Sequence, residues 1–420
     1  MVARGERFSY AAGDTGFNLI WASIELYLLY FYIEVLALPL EIASGVFLVG
    51  AALDWLADPV IGAVADRAST RAPLRAWVLF GGPAAGIALA LAFAQPALIG
   101  NWLTAYVVAT HLLLRLCYSL GNIPYAALTA RLTDDAEEHV RLTGLRMQGA
   151  ALGGILAAIV YANVPAGEGP QRFWTGAMIL GFAAQPFLLL TFLGVRERIV
   201  PSRDIADIRP FGQIRAYGML LSQSAALRRL MVVIVTAGLS VTMLSKTLLF
   251  LFAELGHAEL GYRAAIAPSL ALLVSIPAWV WIEKKWGRVP TLWVALAMNA
   301  LALVMAWLLY PGLVPVAILF VVAIVASCGM SVMFWSLVPA VIQDVEAARD
   351  GGCAVRIYAL ATTARKLGQA LAPQIITLSL AFSANRSVMP ALVGSAVCAL
   401  AVGLLYRPVE RTPSLGQASL

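Results

Sequence analysis

Asp54 and Asp58 are the pair with the clearest chemistry in this sequence. Four residues apart in an apolar run that reads as helix, they share one face, about 6 Å apart. Two carboxylates so close in a dry setting repel, so one takes up a proton or a cation neutralises both. The pair suits binding of H+ or Na+, and Asp54 and Asp58 count as metal ligands only if the ion is Na+. The plainer reading is a buried ion pair that only holds helices together, a costly use of two acids. Asp14, Asn18 and Glu25 form a second group on one helical stripe, since eleven residues make almost three turns. Trp21 flanks it. Carboxylates accept bonds from hydroxyls, and an indole offers a flat apolar face to a sugar ring. Against this, Glu25 or Trp21 would simply sit near the outer interface. Arg115, Ser119 and Asn122 share a third face at i, i+4 and i+7. Bonding between helices is the alternative for Ser119 and Asn122, and pairing with Asp54 or Asp58 for Arg115. In "ATTARKLGQALAPQ", Lys366 lies among Thr362, Thr363, Gln369 and Gln374. Snorkelling to an interface fits Arg365 better than Lys366. Lys246 has weaker context.

The elements that carry these residues are membrane helices. Hydrophobic residues make up 61% of 420 and charged residues 12%, with a mean hydropathy of +0.84. Soluble domains carry about twice that charge fraction. Spanning helices need about 20 apolar residues each, and the length gives about twelve. A barrel is excluded, because the apolar runs are long and do not alternate. The expected spans are 8–34, 40–66, 76–96, 99–130, 141–165, 171–195, 228–256, 260–283, 289–309, 313–344, 356–382 and 387–406. Within such spans an ionisable side chain costs about 2.5–3.5 kcal/mol on insertion scales, so each asks for a reason. Basic residues alternate between loops. Arg4 and Arg7, then Arg67, Arg71 and Arg75, then the Arg196–Arg229 cluster, then Lys284, Lys285 and Arg288, then Arg407 and Arg411 fall on one side. The other side holds little beyond Arg172, Arg263 and Arg386. By the positive-inside rule both termini are expected in the cytoplasm of a multi-pass cell (inner) membrane protein.

Residues 196–227 are polar and hold Pro201 and Pro210. They divide the chain into an N-terminal six-helix bundle (1–195), a cytoplasmic central loop (196–227), and a C-terminal bundle with a short cytoplasmic tail (228–420). A weak repeat supports the division. "YLLYFYIEVL" at Tyr27–Leu36 resembles "TLLFLFAELG" at Thr247–Gly256, with Glu34 opposite Glu254. Two such halves related by an axis along the membrane normal are a transporter plan. Cys117, Cys328 and Cys398 fall in expected helices and Cys353 in a loop, so no disulfide or cysteine metal site is expected. His111, His139 and His257 carry no clear signal. No nucleophile–base constellation suggests an enzyme, and no phosphate-binding glycine loop suggests ATP as energy source.

"YAAGDTGFNLIW", "YLLYFYIEVLAL", "FLVGAALDWLADPVIGAVADRASTR" and "YSLGNIPYAAL" resemble the glycoside–pentoside–hexuronide:cation symporter family, typified by melibiose permease, of the major facilitator superfamily. The C-terminal half matches more loosely through "FWSLVPAVIQDV" and "ARKLGQALAP". The resemblance implies an all-α membrane protein of the major facilitator fold, with twelve transmembrane helices in two six-helix bundles. It implies Asp54 and Asp58 as coupling-cation carboxylates, with Ser119 as the nearby hydroxyl. Asp14 and Asn122 stand at the positions of two sugar-binding acids. Trp335 stands at a tryptophan near the site, and Lys366 at the lysine between cation and sugar. The chain departs from the family at Ala57, where an asparagine oxygen is usual, at "TRAPLRAW", at "QDVEAARDGGCAVR", and at Arg115, where the family is usually apolar.

The expectation is a symporter coupled to H+ or Na+, without cofactor, that moves a small polar solute such as a sugar, glycoside or uronide. Its expected partners are a small-molecule substrate and membrane lipid, with no nucleic acid, and the chain is expected to be monomeric. Arg115, Lys246 and Lys366 make an acidic substrate at least as suitable as a neutral sugar. The alternatives are transport or export of another solute, such as an organic anion or lysolipid, or a non-transporting sensor or membrane enzyme. In the empty state Asp54, Asp58 and Lys366 are expected to cluster, with Lys366 offsetting part of the doubled charge. The missing oxygen at Ala57 leans the site toward H+.

Overall fold

The computed structural model describes residues 2–68, 73–133, 135–164, 171–199, 218–347, 354–383 and 385–405. Arg71, Cys353, Arg407, Arg411, most of the central loop and the C-terminal tail lie outside them. Among the described residues the structure is helical, without strands.

Helix α1 (Arg4–Ser23) runs on through two π turns, Ile24–Leu28 and Phe31–Val35, to complete the first path. It is followed by α2 (Leu40–Ala68), α3 (Arg75–Ala92), α4 (Gly100–Ala127), the short α5 (Thr129–Leu132), α6 (Ala136–Asn163) and α7 (Gln171–Gly194). The second half holds α8 (Ala225–Glu254), α9 (Ala258–Ala264), α10 (Ala267–Trp286), α11 (Arg288–Leu308), α12 (Leu313–Ala347), α13 (Ala354–Phe382) and α14 (Met389–Leu405). Every expected span is occupied by helix. Among the differences from expectation, the third span ends at Ala92 instead of 96. The eighth path breaks at Ala265–Ile266, where Pro268 starts α10 and offers no N–H to a continuing helix. The fifth begins at Ala136, ahead of the expected Arg141.

Nine helical paths among the described residues are long and apolar enough to cross a membrane, by length and composition. The first path and α13 are not among them. They carry Asp14 and Glu25, and Arg365 and Lys366, and these charges lower their hydropathy. Polar side chains inside the helices fold back on their own turns, as Ser44 does on the Leu40 carbonyl and Thr110 on that of Tyr106. Both hydroxyls are buried between helices, where an unbonded polar group is costly.

Contacts divide the helices into two groups. The first path packs on α6 and α7, α3 on α4 and α7, and α2 on α4. Likewise α8 packs on α12, α13 and α14, and α11 on α12 and α14. Small residues permit the closest approaches. A Cβ on Gly153 of α6 would stand 2.6 Å from the Thr15 carbonyl and 2.9 Å from the Asn18 Cβ of α1. Principal contacts between the groups are α2 with α13, α8 with the first π turn, and α6 with α9 and α10.

One face of the molecule carries the start of α1 and the end of α7, tied together by Glu6, which accepts bonds from the Arg198 side chain and the Arg196 backbone N–H. On the opposite face ion pairs join the two groups. Arg172 meets Glu259 at 2.6 Å and lies 4.6 Å over the Tyr262 ring, and Arg386 approaches Glu34 at 3.6 Å.

Candidate functional site

A cavity of about 310 Å³ lies between the helix groups, walled by α1, α2, α4 and α6 from the first and α8 and α13 from the second. Among the described residues four acids line it: Asp14, Glu25, Asp54 and Asp58. Each is matched by a base.

On α2 the i, i+4 pair does what its spacing requires, but with two different partners. Arg115 of α4 forks onto Asp54, Nε donating to Oδ1 at 3.2 Å and Nη2 to Oδ2. Its guanidinium lies 5.1 Å over the Trp21 ring. One turn on, Ser119 Oγ donates to Asp58 Oδ1 at 2.8 Å, and the Lys366 ammonium of α13 donates to Oδ2. Arg115 and Ser119 stand four residues apart on α4, so the two rows match turn for turn. Lys366 thus meets the acid pair, as expected, but through Asp58. Arg115 neutralises Asp54, so the pairing alternative holds for that residue. Asp54 is nearly inaccessible, with 8% of its side chain exposed.

Asp14 of α1 accepts from Arg146 Nε of α6 at 2.6 Å, and Arg146 is covered by Tyr125 at 5.1 Å. The tight α1–α6 packing at Gly153 brings Arg146 into reach. Asn18 donates to the Asp14 carbonyl at 2.9 Å. Glu25 pairs with Lys246 of α8 at 3.3 Å. The π turn matters here. At its start Lys246 Nζ donates to the backbone carbonyls of Glu25 at 3.1 Å and Ile24 at 3.4 Å. Lys246 is buried and lies 4.7 Å over Phe47. Glu25 therefore sits inside, not at an outer interface.

Asn122, Ser119, Trp21 and Lys366 also line the cavity. Trp335 is not among its lining residues. It sits half-buried on α12, its ring 5.2 Å from that of Phe334. The sequence reading did not single out Arg146, although a charged residue inside an expected span is itself a signal. It also gave Arg365 to the interface. Arg365 instead lines the cavity, and its Nε is buried without a hydrogen-bond partner. The described lining thus holds four acids against five bases, Arg115, Arg146, Lys246, Arg365 and Lys366. Arg365 makes no ion pair of its own among the described residues, and its nearest cavity acid, Glu25, is paired with Lys246.

The family model described as MFS/sugar transport protein matches residues 9–409. The inner membrane symporter YicJ of Escherichia coli (strain K12) is 33% identical over 51% of this chain and 49% of its own length. The uncharacterized symporter YnaJ of Bacillus subtilis (strain 168) is 29% identical over 92% of this chain and 85% of its own length. The match thus spans about half of the first relative and most of the second. Among solved structures, the nucleoside transporter NupG (D323A mutant) superposes with a TM-score of 0.71 at 12% identity, covering 96% of this chain and all of that one. That likeness shows the major facilitator fold. Fold, cavity and family match together make this chain a member of the MFS/sugar transport protein family, within the glycoside–pentoside–hexuronide:cation symporter group of the major facilitator superfamily.

Proposed function

We propose that the chain is a proton-coupled secondary active symporter of a small polar solute of the sugar, glycoside or uronide class, working by alternating access. The observation that carries this reading is the Asp58–Lys366 pair, because it joins the two helix groups at the cavity wall. Protonation of Asp58 removes the charge that holds Lys366. The lysine is then free to meet an acidic group of the solute, or Asp14. Binding of proton and solute must favour each other equally, because linkage is reciprocal. On this reading the face carrying the N-terminus is cytoplasmic, and the Arg172–Glu259 and Arg386–Glu34 pairs close the outer face.

On the solute side, Arg365 and a released Lys366 favour an acidic member of the class. Trp21 is partly covered by Arg115 and Tyr118, which leaves less of its face for a sugar ring and favours a second reading, an organic anion without one.

The test is uptake into proteoliposomes of D-glucose, D-glucuronate and a ring-free acid such as D-gluconate, under an imposed pH difference. Accumulation of a uronate or sugar above equilibrium supports symport. Asp58→Asn is expected to abolish accumulation while solute exchange survives. Accumulation that persists in Asp58→Asn sinks coupling through this pair, and uptake of gluconate alone selects the second reading.

A further inference from the structure

The resemblance to cation symporters admits Na+ as coupling ion, but the residues here do not fit a metal ion. Hard cations are held by several oxygens at once. At Asp54 both carboxylate oxygens already accept from Arg115. At Asp58, Oδ1 accepts from Ser119 and Oδ2 from Lys366. Ala57 has no oxygen to add. Among the described residues no cluster of three or more His, Cys, Asp or Glu side chains is arranged to hold a metal.

The two basic partners are not equivalent. Lys366 comes from the second helix group, so its bond to Asp58 breaks whenever the groups separate. Arg115 and Asp54 belong to the same group, and their bond survives such a motion. A guanidinium keeps its charge at every physiological pH, matches a carboxylate with two bonds, and is held further by the Trp21 ring. We infer that Arg115 is a tethered counter-ion that takes the metal position at Asp54 and makes this chain indifferent to Na+. This inference rests on reading the cavity as the transport site. Without Arg115, the Asp54 carboxylate would be left unpaired one turn from Asp58 and its Ser119 hydroxyl, oxygens of the kind a metal ion accepts.

The test uses the purified full-length chain. Thermal unfolding is compared in NaCl, KCl and choline chloride at equal ionic strength, and NaCl is titrated calorimetrically. The wild type is expected to show one midpoint in all three salts and no saturable heat. Arg115→Met is expected to gain a midpoint that climbs with NaCl and not with choline chloride. The charge-balanced double variant Arg115→Met with Asp54→Asn is expected to lose that response. Should Arg115→Met not fold, Arg115→Gln replaces it, since an amide donates to Asp54 without adding charge. Saturable Na+ binding to the wild type overturns the inference, as does a folded Arg115 variant that ignores Na+. Proteoliposome uptake separates this from the proposed function. Accumulation by the wild type driven by Na+ alone defeats the inference and leaves symport standing. Absence of any accumulation defeats symport and leaves the Na+ titration readable.

Discussion

Arg115 and Lys366 neutralise neighbouring carboxylates with chemically different cations. One is permanent and held within its own bundle, while the other is mobile and reaches across from the opposite bundle. The two aspartates should therefore respond differently to the same change. Asp54→Asn leaves the Arg115 guanidinium buried without its acid, a loss worth about 3–5 kcal/mol in comparable buried pairs. A clearly lower thermal midpoint is expected, largely restored when Arg115→Met is added, and a melting series across the four variants measures it. At Arg365, the cavity base without an ion pair among the described residues, replacement by Gln is expected to weaken binding of an acidic solute. The loss of a charged hydrogen bond, about 1.5–3 kcal/mol, corresponds to roughly ten- to a hundredfold in Kd. Calorimetric titration with D-glucuronate checks it, and an unchanged Kd excludes Arg365 from the binding site.

At the scale of elements, the site depends on how closely α6 lies against α1. Gly153 sits where any side chain would press on the Thr15 carbonyl and Asn18. Gly153→Leu is expected to push α6 outward, lengthen the Arg146–Asp14 bond and cost about 1–3 kcal/mol through overpacking. Stability and solute binding should fall together, whereas the exposed Leu152→Ala beside it should leave binding intact. Parallel titrations of the two variants separate the cases. The sequence makes some of this architecture plain and hides the rest. Asp54, Asp58 and Lys366 stand out because a charge within an apolar run is costly wherever it faces. The same logic applies to Arg146 and Arg365, but their spacing does not tell which way α6 and α13 turn relative to their neighbours. The π turns after Ser23 leave no trace in hydropathy, yet the first of them carries the carbonyls that fix Lys246. Trp335 illustrates the opposite error, since likeness of position did not bring its ring to the cavity.

At the scale of the molecule, the proposed orientation rests on the alternation of basic loops, and the assignment of the far-face ion pairs to the outside rests on that orientation in turn. A cysteine at His257, exposed on the far face, is expected to react with a membrane-impermeant maleimide in intact cells. One at Ser222, exposed ahead of α8, is expected to react only after permeabilisation. Labelling of Ser222→Cys from outside would reverse the orientation and with it the assignment of the closed face.

The surplus of one base over the acids in the described cavity lining favours an anionic cargo, and the charge of the cargo has an electrical consequence. When one proton and one monovalent anion ride together, the loaded carrier reorients with the same fixed charge as the empty one. The two legs of the cycle then move the same charge in opposite directions, so the work of the membrane voltage, about 2.3 kcal/mol per charge per 100 mV, cancels over a turnover. Transport of an acid is expected to be electroneutral, driven by the pH difference and indifferent to a potassium diffusion potential set with valinomycin. A neutral sugar carried with a proton would instead move one positive charge per turnover, so vesicle uptake at imposed voltages of either sign distinguishes the two cargoes.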